Sequence, residues 1–150
     1  MSQKAEGEER RPVREEMKAK KPRCGERERP PMDRVGVTHK VTLYLSAGAL
    51  GTGQALDGQK SQAVDFYITL NRYADGRPCE VFVKATNGYQ GWCDAICRLT
   101  SLALQHGVPA DSIIRQLENS QFPPSGRVPG FGFVGSFPDY LAKWLKNIPI

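Results

Sequence analysis

AVDFYITLNRYADGRPCEVFVK, residues 63–84, is the stretch whose reading decides the fold class. Val64, Phe66, Ile68 and Leu70 alternate with Asp65, Tyr67 and Thr69, the period of a strand with one buried face. Ala74-Asp75-Gly76-Arg77 supplies a turn, since glycine tolerates the positive φ of a tight hairpin. Cys79, Val81 and Val83 then alternate with Glu80, Phe82 and Lys84 in a return strand. Upstream, Val41, Leu43 and Leu45 alternate with Thr42 and Tyr44, which predicts a third strand and folded structure beginning near Val37.

Downstream the period changes. Trp92, Ile96, Leu99, Leu102 and Ala103 recur at helical spacing between Gln90 and His106, predicting a helix that buries this stripe and stops at Gly107. Pro109 and Asp111 suit the first turn of a second helix, which buries Ile113, Ile114 and Leu117 and ends near Asn119. QFPPSGRVPGFGFVG, residues 121–135, reads as a Pro/Gly-rich connection. Ser136 followed by Asp139 is a variant capping box with Pro138 in the first turn, opening a last helix from Phe137 to about Asn147. Strands followed by helices give class α+β: a small antiparallel sheet of about three strands against two to three helices.

At 150 residues the chain is one domain by length, far short of the about 250 of a (β/α)₈ barrel. No run reaches the ~20 apolar residues of a membrane span, and the charged first 30 residues hold no signal-peptide core, so a cytoplasmic protein is expected. The formal net charge is +5. Residues 1–36 carry 11 Lys/Arg and 8 Asp/Glu with few large apolar side chains, which predicts a disordered charged arm ahead of a folded domain at 37–150. Its most basic patch runs from Arg10 to Arg23. Interleaved glutamates weaken its field, so it reads as a solvated tail with at most weak nucleic-acid contact. Residues 46–63 form a Gly-rich insertion without the Gly-Lys-Ser/Thr of a phosphate loop.

Few residues carry recognisable chemistry. Cys93 and Cys97 lie four apart on one helical face, with Cys79 on a strand and His39 or His106 as further donors. No second close pair completes a zinc site, so these three thiols read as core residues, with metal ligation the weaker alternative. A helical pair four apart is also poorly placed for a disulfide. Arg72, Arg77 and Lys84 on the hairpin are candidate phosphate contacts. The residues alone indicate no catalytic and no cofactor-binding group.

Several motifs occur in order: T-H-K-V at 38–41, F-Y-I-T-L-N-R-Y-A-D-G-R-P-C-E-V-F-V-K, S-L-A-L-Q-H-G-V-P-A-D-S-I-I, F-P-P-S-G and S-F-P-D-Y-L. Together they resemble the TSCPD domain, found near the C-terminus of adenosylcobalamin-dependent (class II) ribonucleotide reductases. The resemblance runs from about Arg14 to Ile148, interrupted by the 46–63 insertion. The element that names the family reads Gly135-Ser136-Phe137-Pro138-Asp139 here. Family members that bind zinc place cysteines at positions corresponding to Ala63, Gly88, Phe122 and Phe137. None is cysteine here, so the resemblance carries no zinc site over; Phe122 and Phe137 suggest that apolar packing takes the metal's place.

The resemblance implies a part in deoxyribonucleotide synthesis and DNA replication. A chain of this size cannot hold the barrel, the thiyl-forming cysteine, the reducible pair and the corrin site of such a reductase. It is therefore expected to be an accessory or separately encoded C-terminal piece of a B12-dependent ribonucleoside-diphosphate reductase. It would dock on a larger catalytic subunit, with adenosylcobalamin held only by that partner. The alternative is a free-standing module that binds nucleic acid or nucleotide phosphates through the basic arm and hairpin cations. An exposed apolar patch favours docking, whereas a continuous basic face favours phosphate binding.

Overall fold

Alternating burial builds a sheet from three long strands, Val35–Leu45 (β1), Ala63–Arg72 (β2) and Pro78–Ala85 (β3). The structure, a computed structural model, describes residues 25–45, 62–86 and 88–148. Val41, Leu43 and Leu45 of β1, Val64 to Leu70 of β2 at every second position, and Val81 and Val83 of β3 face one core. Helices Gln90–Gln105 (α1), Ala110–Leu117 (α2) and Phe137–Asn147 (α3) complete it. The class is α+β, as expected.

The sheet has five strands rather than about three. Gly126–Val128 (β4) and Gly132–Val134 (β5) form a small hairpin inside the Pro/Gly-rich connection. The strand order is β3-β2-β1-β4-β5, with every neighbouring pair antiparallel. Strands of three residues are too short to display a period, which is why alternation did not reveal them. Gly126 is required where β4 meets β1, because a Cβ there would collide with the Tyr44 carbonyl oxygen.

The buried face of α1 also departs from expectation. Cys93, Cys97, Thr100, Ser101, Leu104 and Gln105 are buried, whereas Leu99 is 67% exposed and Leu102 is exposed as well. Trp92, Ile96 and Ala103 are only partly buried. The cause lies in the sheet. β3 is an edge strand, and α1 packs along it, so its inner face must supply partners for unpaired backbone groups. Ser101 Oγ accepts from the Val81 N–H at 2.8 Å, with its own proton in reach of the Cys97 and Val81 carbonyls. Gln105 donates to the Cys79 carbonyl at 3.2 Å. Gln90 accepts from the Ala85 N–H at 2.7 Å and donates to the Val83 carbonyl at 2.9 Å.

Ser101→Ala should therefore leave a buried strand N–H unpaired and cost about 1–3 kcal/mol. For a chain of this size that lowers Tm by roughly 2–4 °C per kcal/mol, readable by circular dichroism. An unchanged Tm would mean that the edge does not depend on the hydroxyl.

Residues 1–24 of the expected arm and residues 46–61 of the insertion lie outside the described residues. The last part of the arm is attached to the body. The Glu28 N–H donates to the Gln105 carbonyl at 2.8 Å, and Arg27 Nε donates to the Gln105 side chain at 2.8 Å. Tyr73 donates its hydroxyl proton to the Glu28 carbonyl at 2.7 Å. Few apolar residues are needed for this attachment, because it is made by polar groups on the hairpin turn and the end of α1. Among the described residues, no helix is long and apolar enough to cross a membrane.

Candidate functional site

Ser136, Phe137, Pro138 and Asp139 sit where three segments converge. Ser136, in extended conformation, caps α3: its Oγ accepts from the Asp139 N–H at 3.2 Å and lies 2.7 Å from the Ser120 hydroxyl. Pro138 occupies the first turn, where its missing N–H costs nothing. The Asp139 carboxylate accepts from the Asn119 N–H (2.8 Å), the Gly135 N–H (3.0 Å) and Lys143 Nζ (2.7 Å). Burial alone would raise its pKa. The Lys143 ammonium and the two backbone donors outweigh that and hold the carboxyl below its ordinary value. Asn119 has a φ of +63°, so the chain turns sharply out of α2 toward this carboxylate. The element is a staple joining the end of α2, the strand β5 and the start of α3.

Phe137 points from the staple into the core. Its ring centroid is 4.9 Å from that of Phe66 and 6.0 Å from that of Trp92, which in turn lies 5.3 Å from Phe122. Phe122 and Phe137 are thus brought together on Trp92. Ala63 opens β2 and Gly88 follows β3, both at the same end of that strand pair. Edge-on aromatic contacts of this kind add about 0.5–1.5 kcal/mol each beyond burial.

Cys79, Cys93 and Cys97 are all buried and unbridged. Burial pushes the Cys79 thiol up to about 11 and the Cys93 and Cys97 thiols up to about 12, so near neutral pH they stay protonated and unreactive. The described residues contain no group of three or more His, Cys, Asp and Glu placed to hold a metal.

The hairpin cations do not converge. Arg77 is held by Asp75 at 2.7 Å and Glu28 at 3.0 Å, and its guanidinium lies 4.8 Å from the Tyr73 ring centroid. Arg72 donates to the Gly76 carbonyl at 2.9 Å. Lys84 stands toward the other end of β3, opposite Tyr67.

His39 has a partner that sequence reasoning missed. Its Nε2 lies 2.9 Å from the Tyr140 hydroxyl, and its ring stacks 5.6 Å from that of Trp144. The signal was available: by alternation His39 lies on the same side of β1 as the buried Val41, Leu43 and Leu45.

Outside the core, Phe82, Leu99 and Leu102 line an open groove of about 340 Å³ between β3 and α1, bordered by Arg27, Arg98 and Glu80.

The family model of the TSCPD domain matches residues 48–148. The chain belongs to the TSCPD domain family. This TSCPD domain is 32% identical over 124 residues to a vitamin B12-dependent ribonucleotide reductase of Rhodopirellula baltica, covering 79% of the chain and 10% of that protein. A protein of the same description from Streptomyces avermitilis is 30% identical over 124 residues, covering 79% of the chain and 11% of its own length. Another from Streptantibioticus cattleyicolor is 30% identical over 124 residues, covering 79% of the chain and 18% of its own. The TSCPD domain thus spans between about a tenth and a fifth of these relatives. No solved structure matches it. Phe137, within the 135–139 element, places its ring in the aromatic cluster described above.

Proposed function

We propose that this TSCPD domain serves ribonucleotide reduction as an accessory domain, docking on the larger catalytic body of a B12-dependent ribonucleoside-diphosphate reductase. Adenosylcobalamin and the reacting nucleotide belong to that body in this reading. The observation that carries it is the alignment: 79% of the chain corresponds to about a tenth of a reductase. The buried, protonated thiols support a role apart from the chemistry itself. The exposed leucines of α1 support docking, since Leu99 and Leu102 with Phe82 form an apolar strip that the fold leaves uncovered.

The test is co-purification of the full chain, affinity-tagged, from its native host. A reductase catalytic subunit is expected in the eluate. The double substitution Leu99→Glu and Leu102→Glu should reduce its recovery about tenfold or more without lowering Tm, because both side chains are outside the core. Absence of any reductase subunit under gentle, low-salt conditions would refute the proposal.

A further inference from the structure

The face of the sheet away from the helices carries one exposed aromatic ring on each of four strands. Tyr44 of β1 is 45% exposed, Tyr67 of β2 39%, Phe82 of β3 43% and Phe133 of β5 56%. Strand register orders them. In one cross-strand row Phe82 lies opposite Thr69, and in the next row on that face Tyr67 lies between Lys84 and Lys40. Beyond the row of Asp65 and Thr42, Tyr44 pairs with Arg127, which pairs with Phe133. The rings therefore step diagonally across the sheet with cations between them.

The charges on this face are not balanced. Asp65 is bound by Lys40 at 3.1 Å and Glu80 by Arg34 at 3.1 Å. Lys84 and Arg127 have no ion-pair partner among the described residues, so the face keeps positive charge beside its rings. Asp65 and Glu80 are neutralised locally and do little to repel an anion. A protein interface of ordinary composition would be explained by exposed rings alone. Rings interleaved with unpaired cations complement a flexible polyanion that carries π-faces, in which bases stack and phosphates meet Lys or Arg.

We infer that this open sheet face binds single-stranded nucleic acid, with Tyr67 and Phe133 as stacking platforms and Lys84 and Arg127 as phosphate contacts. The four residues assigned here do not line the groove beside Leu99 and Leu102 used for docking; Phe82 borders both surfaces. The arm is not needed for it.

The experiment is fluorescence anisotropy of the full chain with a labelled 20-mer of deoxythymidine, the same length of uridine RNA, and a duplex. Binding of at least one single strand is expected to be stronger than binding of the duplex. Tyr67→Ala and Phe133→Ala should each weaken it about tenfold. Lys84→Ala and Arg127→Ala should each reduce the slope of log affinity against log salt by about 0.7. Replacing Lys18, Lys20 and Lys21 together by Ser should change affinity less than about threefold. No single-strand binding at low salt would overturn the inference. So would binding that survives Tyr67→Ala with Phe133→Ala but disappears with the arm lysines. A shift from dimer to monomer caused by Tyr67→Ala, with no nucleic acid bound, would assign the face to a second copy of the chain and overturn it equally. The folds of all variants are checked by their melting curves, and Tyr67, Lys84, Arg127 and Phe133 are exposed.

Discussion

Trp144→Ala is expected to destabilise the domain by about 3–5 kcal/mol, the range for removing a large buried aromatic side chain. Leu141, Trp144 and Leu145 lie at helical spacing on α3, and all three are buried, with Trp144 only 6% exposed. Trp144 also covers the ring of His39, so its loss opens a cavity and wets a polar pair that includes the Tyr140 hydroxyl. Total stabilities of about 5–15 kcal/mol make such a loss large enough to unfold much of the population of a marginal domain. The competing role for Trp144 and Tyr140 is a docking surface. Both are buried by the chain itself, which argues against it. Thermal melting of the variant without any partner separates the two. A Tm within about 2 °C of the parent, together with lost partner binding, would make Trp144 an interface residue.

Much of this fold is legible where local and tertiary demands agree. The 63–84 hairpin shows its period because one face is dry and the other wet, and Gly76, at φ +90°, takes the turn that its position suggests. α3 runs from Phe137 to Asn147 as read, because Ser136 and Asp139 announce its start. Legibility fails where a residue answers to a distant neighbour. Ser101 and Gln105 are buried because a strand edge lies beside them, and no hydropathy pattern within α1 reports that edge. Leu99 and Leu102, the obvious core residues by periodicity, are left outside for the same reason. Residues 25–34 read as free because their attachment is polar and reaches Tyr73, Arg77 and Gln105 across long stretches of chain. At the candidate site, the resemblance led to the expectation of apolar packing at Phe122 and Phe137. That both rings meet on Trp92 depends on how α1 and α3 approach each other, which the sequence does not display.

Asp139→Ala should be about as damaging as the loss of Trp144, for an electrostatic reason. Asp139 is 2% exposed, and its carboxylate accepts three hydrogen bonds, two of them from the backbone N–H groups of Asn119 and Gly135. Removing it strands the Gly135 and Asn119 donors, each worth about 1–3 kcal/mol when left unpaired in a buried place. It also leaves Lys143 without its partner, although that ammonium reaches solvent and adds little. The two stranded donors together give a total of about 2–6 kcal/mol. Asp139→Asn keeps the shape and one acceptor oxygen, so it should cost less than Ala but more than a surface change. The pH dependence separates charge from shape. The folded carboxyl titrates below its ordinary value of 3.8, so its contribution is fully present above that value and is lost as pH falls through the lower, folded value. The stability gap between the parent and Asp139→Asn, read from urea midpoints, should therefore be constant from pH 7 to about 5 and shrink below pH 4. A gap that persists undiminished at pH 2.5 would show that the carboxylate's charge contributes nothing, and that the staple works through shape alone.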